Sequence, residues 1–233
     1  MTLRRPRLIT FDVFGTLFQA EGVADPEVMR SVVGRNDLAL TPEELAQLWW
    51  DRSSQIAFGD FVTVREATRM ALASLLLEWG VDDDAEAHTR RLLEAWTKTD
   101  PYPETMEAVK ALGEFDLGIV SNIDDDILQA LLRRSRLTDC FRVVVTSEGT
   151  RTYKPAPAIF QEALHQAGYT PEEGLHLGDS LGEDIIGATG AGMMAGWIRR
   201  HGEVPAAEGP EPDLTAADLR EAADFILAAT RAP

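Results

Sequence analysis

Apolar positions along the chain follow two different periods. Leu8-Ile9-Thr10-Phe11 is a short apolar segment that stops at Asp12, with a Gly15-Thr16 turn behind it. That pattern predicts a buried strand delivering Asp12 to its carboxyl end. From about residue 18 to 98 the pattern turns helical. Thr41 before Pro42-Glu43-Glu44 predicts an N-cap with proline at the first helical position, leading into Leu45, Leu48, Trp49 and Arg52. Ala67, Met70, Ala71, Ser74, Leu75, Leu77 and Glu78 continue the 3.6-residue period up to Gly80, and a third helix is predicted over 84–96. No strand is predicted in this block.

Beyond Pro101 and Pro103 helix and strand alternate. Helices are predicted at 105–112, 124–134, 157–168 and 184–190, and strands at 117–120, 142–145, 175–177 and 194–198. A loop over 201–213 and a last helix over 216–229 close the chain. Such alternation predicts an α/β fold, a doubly wound parallel sheet of Rossmann-like form that binds ligands at the carboxyl ends of its strands. The helical block is then an inserted all-helical cap over 18–98, and the core is 1–17 with 99–233.

Four polar signals stand where a predicted strand has just ended: Asp12, Ser121-Asn122, Lys154 in a Tyr-Lys-Pro loop, and Asp179 to Asp184. An unpaired aspartate at the end of a buried strand is costly, so Asp12 is read as an attacking carboxylate, with a turn cap as the simpler alternative. Gly15 permits a tight turn around it and Thr16 adds a hydroxyl. In Gly178-Asp179-Ser180-Leu181-Gly182-Glu183-Asp184, acids surround two glycines, a donor set that suits magnesium. Two unit charges about 4 Å apart repel by about 4 kcal/mol at an effective dielectric of 20, so Asp12 and Asp179 together ask for a cation. Asp184 either supports that ion or caps a helix. Lys154 is one of three lysines among nineteen arginines, and is read as a compact ammonium beside the nucleophile or as an exposed loop lysine. Ser121 and Asn122 offer donors to an oxyanion, or serve the turn.

Composition narrows the partners. The 233 residues carry a net charge of −17, which repels nucleic acid and anionic membrane and requires the site to bring its own cations for an anionic substrate. Hydrophobic residues make up 45%, enough for an independent core. The lone Cys140 excludes an intramolecular disulfide and a multi-cysteine zinc site, and its apolar neighbours predict a buried structural thiol. The apolar stretch behind the basic start is broken by Asp12, and no run reaches the length of a membrane helix, so a cytoplasmic protein is expected.

Taken together, Asp12-Val-Phe-Gly-Thr16, Val120-Ser-Asn122, Lys154-Pro155 and Gly178-Asp-Ser180 with Asp184 resemble the four motifs of the haloacid dehalogenase (HAD) superfamily of hydrolases, and the helical insertion resembles its first type of cap. The run from Thr146-Ser-Glu through Ile159-Phe-Gln-Glu-Ala-Leu164 looks closest to the haloacid dehalogenase-like hydrolase domain-containing protein 3 group. The resemblance implies attack by Asp12, with Ser121 and Lys154 holding the transferred group. In the phosphatases of that superfamily, magnesium would sit between Asp12, the backbone carbonyl of Phe14 and Asp179, supported by Asp184 and Ser180.

Two departures divide the expected activity. Superfamily phosphatases carry a second aspartate where this chain has Phe14, and losing an acid-base group costs about 10²- to 10⁴-fold. An aromatic there resembles the 2-haloacid dehalogenases, but these have serine and asparagine where this chain has Asp179 and Leu181, and need no metal. Their cap arginine would correspond to Arg52, one residue out of register. Trp50, Arg52, Phe58 and Phe61 are the candidates for cap specificity, or are helix core. The expectation is a magnesium-dependent phosphatase of a small, anionic phosphate ester, with a 2-haloacid dehalogenase, or a binding protein with little catalysis, as the alternatives. Oligomeric state is left open.

Overall fold

A computed structural model describes residues 3–20, 24–57, 59–200 and 209–231. The first strand, β1 (Leu8–Phe11), is buried along its length, as expected of a strand covered on both faces. Four helices follow it: α1 (Pro26–Arg35), α2 (Pro42–Ala57), α3 (Val64–Glu78) and α4 (Ala85–Trp96). Alternation then begins with α5 (Thr105–Ala111), β2 (Asp116–Ser121), α6 (Asp125–Ser135) and β3 (Val143–Thr146). It continues through α7 (Ser147–Thr150), α8 (Pro157–Ala167), β4 (Gly174–Gly178), α9 (Ile186–Gly190) and β5 (Met194–Ile198) to β6 (Leu214–Ala216) and α10 (Leu219–Arg231).

The six strands form one parallel sheet in the order β3-β2-β1-β4-β5-β6. Phe11 pairs with Ile119 of β2 and with Leu177 of β4, so the residues just past these three strands emerge side by side. The strand order reverses at β1 and β4, which opens a crevice between their carboxyl ends. The fold class expected from the sequence is therefore observed. Phe18 makes isolated bridges to both Phe14 and Pro101, so the chain leaves toward the four helices and returns from them at adjacent points.

Several local expectations differ. α1 was not anticipated, although the Asp25 side chain accepts from the backbone N–H groups of Glu27 and Val28 and Pro26 occupies the first turn. In α3 the buried face is Ala67, Thr68, Ala71, Leu72, Leu75 and Leu76, whereas Met70 and Leu77 face solvent. The stripe is rotated because Leu72 and Leu76 enter the core, and Leu48 of α2 is likewise outside it. Residues 214–216, partly expected as helix, add a sheet edge through Leu214 and Ala216, and α10 starts later behind the Asp218 side chain, which accepts from Glu221 N. The expected helix over 184–190 begins as a π-helical turn, Leu181–Ile185. Arg142 precedes β3. Cys140 is half-buried against the core. Phe58 and most of the expected 201–213 loop, residues 201–208, lie outside the described residues. No described helix is long and apolar enough to cross a membrane.

Candidate active site

Asp12 sits at the end of β1, 7% exposed, and Lys154 and Ser121 both reach its Oδ1. The Lys154 ammonium donates at 2.5 Å and the Ser121 hydroxyl at 2.9 Å. Lys154 is 1% exposed, which removes the exposed-loop reading, and it also donates to Asp184 Oδ1 at 2.6 Å. Burial acts to lower the Lys154 pKa, yet Asp12 and Asp184 hold it above the ordinary lysine value. Burial pushes the Asp12 carboxyl above the usual range, against the pull of Lys154. Asp184 feels the same desolvation, but Lys154 and His176 hold its carboxyl well below that range.

Asp184 holds three donors, since besides Lys154 on Oδ1, Ser180 N reaches Oδ2 at 2.9 Å and His176 Nε2 lies 3.0 Å from Oδ1. Nδ1 of the buried His176 lies 2.9 Å from the Thr10 hydroxyl, so an Nε2–H imidazole donates to Asp184 and accepts from Thr10. The result is a continuous buried row, Thr10, His176, Asp184, Lys154, Asp12 and Ser121. Gly178 is required here, because a Cβ at that position would overlap the Asp184 carboxyl.

Asp179 lies across from Asp12. One oxygen each of Asp12, Asp179 and Asp184 fall within 4.8 Å of one another. Burial, then the charges of Asp12 and Asp184, push the Asp179 carboxyl up to about 8. Gly15 has φ of +83°, and a Cβ there would strike that carboxylate, so turn conformation and close approach both select glycine. The donor chemistry fits a hard cation: Asp12 and Asp179 are the carboxylates that would hold Mg²⁺, with Asp184, which already takes three donors, in support.

Other expected residues take supporting positions. Asn122 accepts from Lys154 N at 2.7 Å and donates to Glu183 at 2.9 Å, which braces the lysine loop. Burial pushes the Glu183 carboxyl up to about 7. Thr16 is fully buried and makes a long contact, 3.4 Å, to Asp179. Ser180 caps the following turn by accepting from Glu183 N. Phe14 packs edge-on against Trp96, 6.0 Å between centroids. Trp50 lines the cavity above the site, but Arg52 does not: its guanidinium is turned onto α3, bonded to Ser74 and paired with Glu78. Phe61 stacks on Tyr153 instead.

Two residues escaped the sequence reading. His176 lies within a strand segment, one residue from apolar neighbours, with nothing to mark it apart from its polarity. Arg200 donates to the carbonyls of Gly15 and Thr16 at 3.1 and 2.9 Å, pairs with Glu104 at 2.7 Å and lies 3.6 Å from the Tyr102 ring centre. It clamps the turn behind Asp12 from a position 184 residues away in sequence, which no local pattern reports.

The site opens into a cavity of about 660 Å³ between the sheet end and helices α2, α3 and α4. Asp124, just before α6, ties that helix to the start of α3, its two oxygens accepting from Val64 N and Arg65 N at 2.8 and 2.9 Å.

Comparison with known proteins agrees with this architecture. The family model described as haloacid dehalogenase-like hydrolase matches residues 6–192. The (S)-2-haloacid dehalogenase of Xanthobacter autotrophicus is 31% identical over 202 residues, covering 83% of this chain and 75% of that protein. Phosphoglycolate phosphatase 1 of Pseudomonas aeruginosa is 26% identical over 219 residues, covering 89% and 75%. Among solved structures, the L-2-haloacid dehalogenase of Xanthobacter autotrophicus with chloropropionic acid covalently bound superposes with a TM-score of 0.79, at 25% identity over 95% of this chain and 98% of that one.

Proposed function

The chain belongs to the haloacid dehalogenase-like hydrolase family, and from that premise we propose that it hydrolyses a carbon–halogen bond through an ester formed on Asp12. This reverses the order expected from the sequence, in which a phosphatase stood first. The observation that carries it is the combination of a buried carboxylate gripped at one oxygen with an aromatic ring, Phe14, where a proton donor would stand. A departing halide needs no proton, whereas an alkoxide does.

In this reading Oδ2 of Asp12 attacks the halogen-bearing carbon from behind, and the halide leaves with the bonding pair. Water then adds to Cγ of the ester, and collapse of the adduct breaks the Cγ–Oδ2 bond: the substrate carbon leaves as an alcohol carrying Oδ2 and the proton that the water gave up, while the water oxygen stays on Asp12. Negative charge develops on Oδ1, where Lys154 and Ser121 already donate, so the same pair orients the attack and stabilises the second step. Asp179 and Glu183 on the cavity wall are the carboxylates placed to take the proton of that water. Residues 18–98 serve as the cap over this chemistry.

A second reading, a magnesium-dependent phosphatase, is favoured by the cluster of Asp12, Asp179 and Asp184. A bound Mg²⁺ would neutralise the transferred phosphoryl group. Asp12 and Asp179 would hold it while Lys154 and Ser121 kept their grip on Oδ1. Kinship to the domain-containing protein 3 group rests on the motif residues of 146–164 and belongs with this reading.

Halide release from a panel of 2-chloro acids and 2-chloro amides separates the two. Release that persists with chelator and disappears in Asp12→Asn is expected. Phosphate release from phosphate esters that chelator abolishes, with no halide release, would replace the first reading by the second.

A further inference from the structure

His176 is a polar side chain where the sheet has no need of one. It is fully buried in β4, directly opposite Thr10 of β1 in the strand register. An apolar residue at such a position is buried without penalty, whereas an imidazole costs desolvation unless its nitrogens are bonded. Both nitrogens have partners: Nδ1 lies 2.9 Å from Thr10 Oγ1, and Nε2 lies 3.0 Å from Asp184 Oδ1. The Phe160 ring stands edge-on against the imidazole, 5.0 Å between centroids at 82°. Thr10, Phe160 and Asp184 together set the imidazole in one orientation.

The atom that His176 reaches is the one that competes for the lysine. Lys154 Nζ stands between two carboxylates, 2.5 Å from Asp12 Oδ1 and 2.6 Å from Asp184 Oδ1. The two pulls are matched only while both groups are charged. Once Asp12 has attacked a substrate it is an ester, and its Oδ1 is a neutral carbonyl oxygen. Hydrogen bonds to a charged acceptor are about twice as strong as those to a neutral one, so Asp184 would then draw the ammonium off Oδ1. The ammonium is needed on Oδ1 at that very stage, because negative charge returns to the Asp12 carboxyl when water breaks the ester.

His176 opposes this drift. Its N–H occupies part of the same Asp184 Oδ1 and offsets part of its charge, while Ser180 N holds Oδ2 at 2.9 Å. Fixed at both oxygens, the Asp184 carboxylate cannot turn to follow the lysine. We propose that His176 is a positioning residue for the second half of the reaction: acting through Asp184, it keeps the Lys154 ammonium on Oδ1 of residue 12 while that residue carries no charge. This rests on covalent attack by Asp12, which the dehalogenase and phosphatase readings share, and not on which substrate bond is broken.

Asp12→Asn reproduces the neutral oxygen without any substrate, so it separates geometry from activity. Crystal structures are compared for Asp12→Asn alone, with His176→Met added, and with His176→Gln added. The ammonium should stay within about 3 Å of Oδ1 at position 12 in the first and lie beyond about 4 Å in the second. The third keeps an amide N–H for Asp184 and should match the first. An ammonium that stays in all three, or that has already left in Asp12→Asn alone, overturns the proposal. Intact-mass measurement during turnover of 2-chloropropionate and 2-chloropropionamide supplies the kinetic arm. His176→Met should form the Asp12 ester at about the parent rate, hydrolyse it about 10²-fold more slowly and so accumulate it, and His176→Gln should recover most of the loss. Equal slowing of both steps, with no ester accumulated, would make His176 structural and overturn the proposal. Absence of halide release by the parent removes the dehalogenase reading, and the crystallographic comparison then decides the role of His176 alone.

Discussion

The two ends of the cavity are built on opposite principles. At the sheet end, polar side chains are matched to one another: Lys154 bonds Asp12 and Asp184, Asp184 also takes Ser180 N and His176, and His176 takes Thr10. At the helical end the wall is aromatic, Trp50 is 50% exposed, and Trp49 Nε1 and Ser53 Oγ have no hydrogen-bond partner among the described residues. A buried ionic network of this kind fixes geometry at a cost in desolvation, which suits a group that must point at one reacting atom. The helical end fixes little and leaves room for what arrives. In the proposed reading, chemistry is set in one half and selection in the other.

Breaking the matched end should cost most. Lys154→Met leaves two buried carboxylates facing each other without their cation, so a destabilisation of about 3–5 kcal/mol is expected, together with loss of turnover. Thermal unfolding should fall by about 10 °C, using a shift of about 2–4 °C per kcal/mol. A variant that melts like the parent would mean that the network is not under the stress described.

Arg200→Gln probes the brace behind Asp12. Removing two bonds to the Gly15 and Thr16 carbonyls and the ion pair to Glu104 should lower stability by about 2 kcal/mol and kcat about tenfold, with KM little changed. Steady-state kinetics check this, since a purely structural loss would lower the amount of active enzyme without the accompanying change in kcat per folded site.

The smallest effect belongs to the helical block. Asp83 accepts from Asn36 at 2.7 Å and pairs with His88 at 2.9 Å, and Asn36 first, then His88, hold its carboxyl well below the usual range. A folded value below the unfolded one gives stability that is present above about pH 4 and fades as pH falls. Asp83→Ala should therefore lose about 1–2 kcal/mol at pH 7, and the gap to the parent should narrow below pH 4 in denaturant titrations. A gap independent of pH would assign the loss to packing.

The same contrast explains what the sequence revealed. The sheet was legible because β1, β2, β4 and β5 are apolar runs bounded by turns, and the four strand-end signals converge because parallel strands share a direction. Asp12, Ser121, Lys154, Asp179 and Asp184 were all found that way. Contacts between distant segments were not legible. His176 and Arg200 act through partners 166 and 184 residues away, and Arg52 faces α3 instead of the cavity because helix rotation decides its direction. α1 was visible in Asp25-Pro26, a cap and a first-turn proline that the pattern of apolar residues alone does not weigh. The rotated stripe of α3 has the same origin, since helical period fixes spacing but not which neighbour each face meets.

Oxygen-18 water tests the central claim most directly. The enzyme turns over 2-chloropropionamide in the labelled solvent, and the peptide carrying Asp12 is then weighed. Attack by the carboxylate followed by water at Cγ puts solvent oxygen into the side chain, so that peptide should be heavier by about 2 Da, one oxygen atom, and remain unlabelled when substrate is withheld. Halide release with all of the label in the product and none in Asp12 would show that water attacks the substrate itself, and Asp12 would not be the nucleophile.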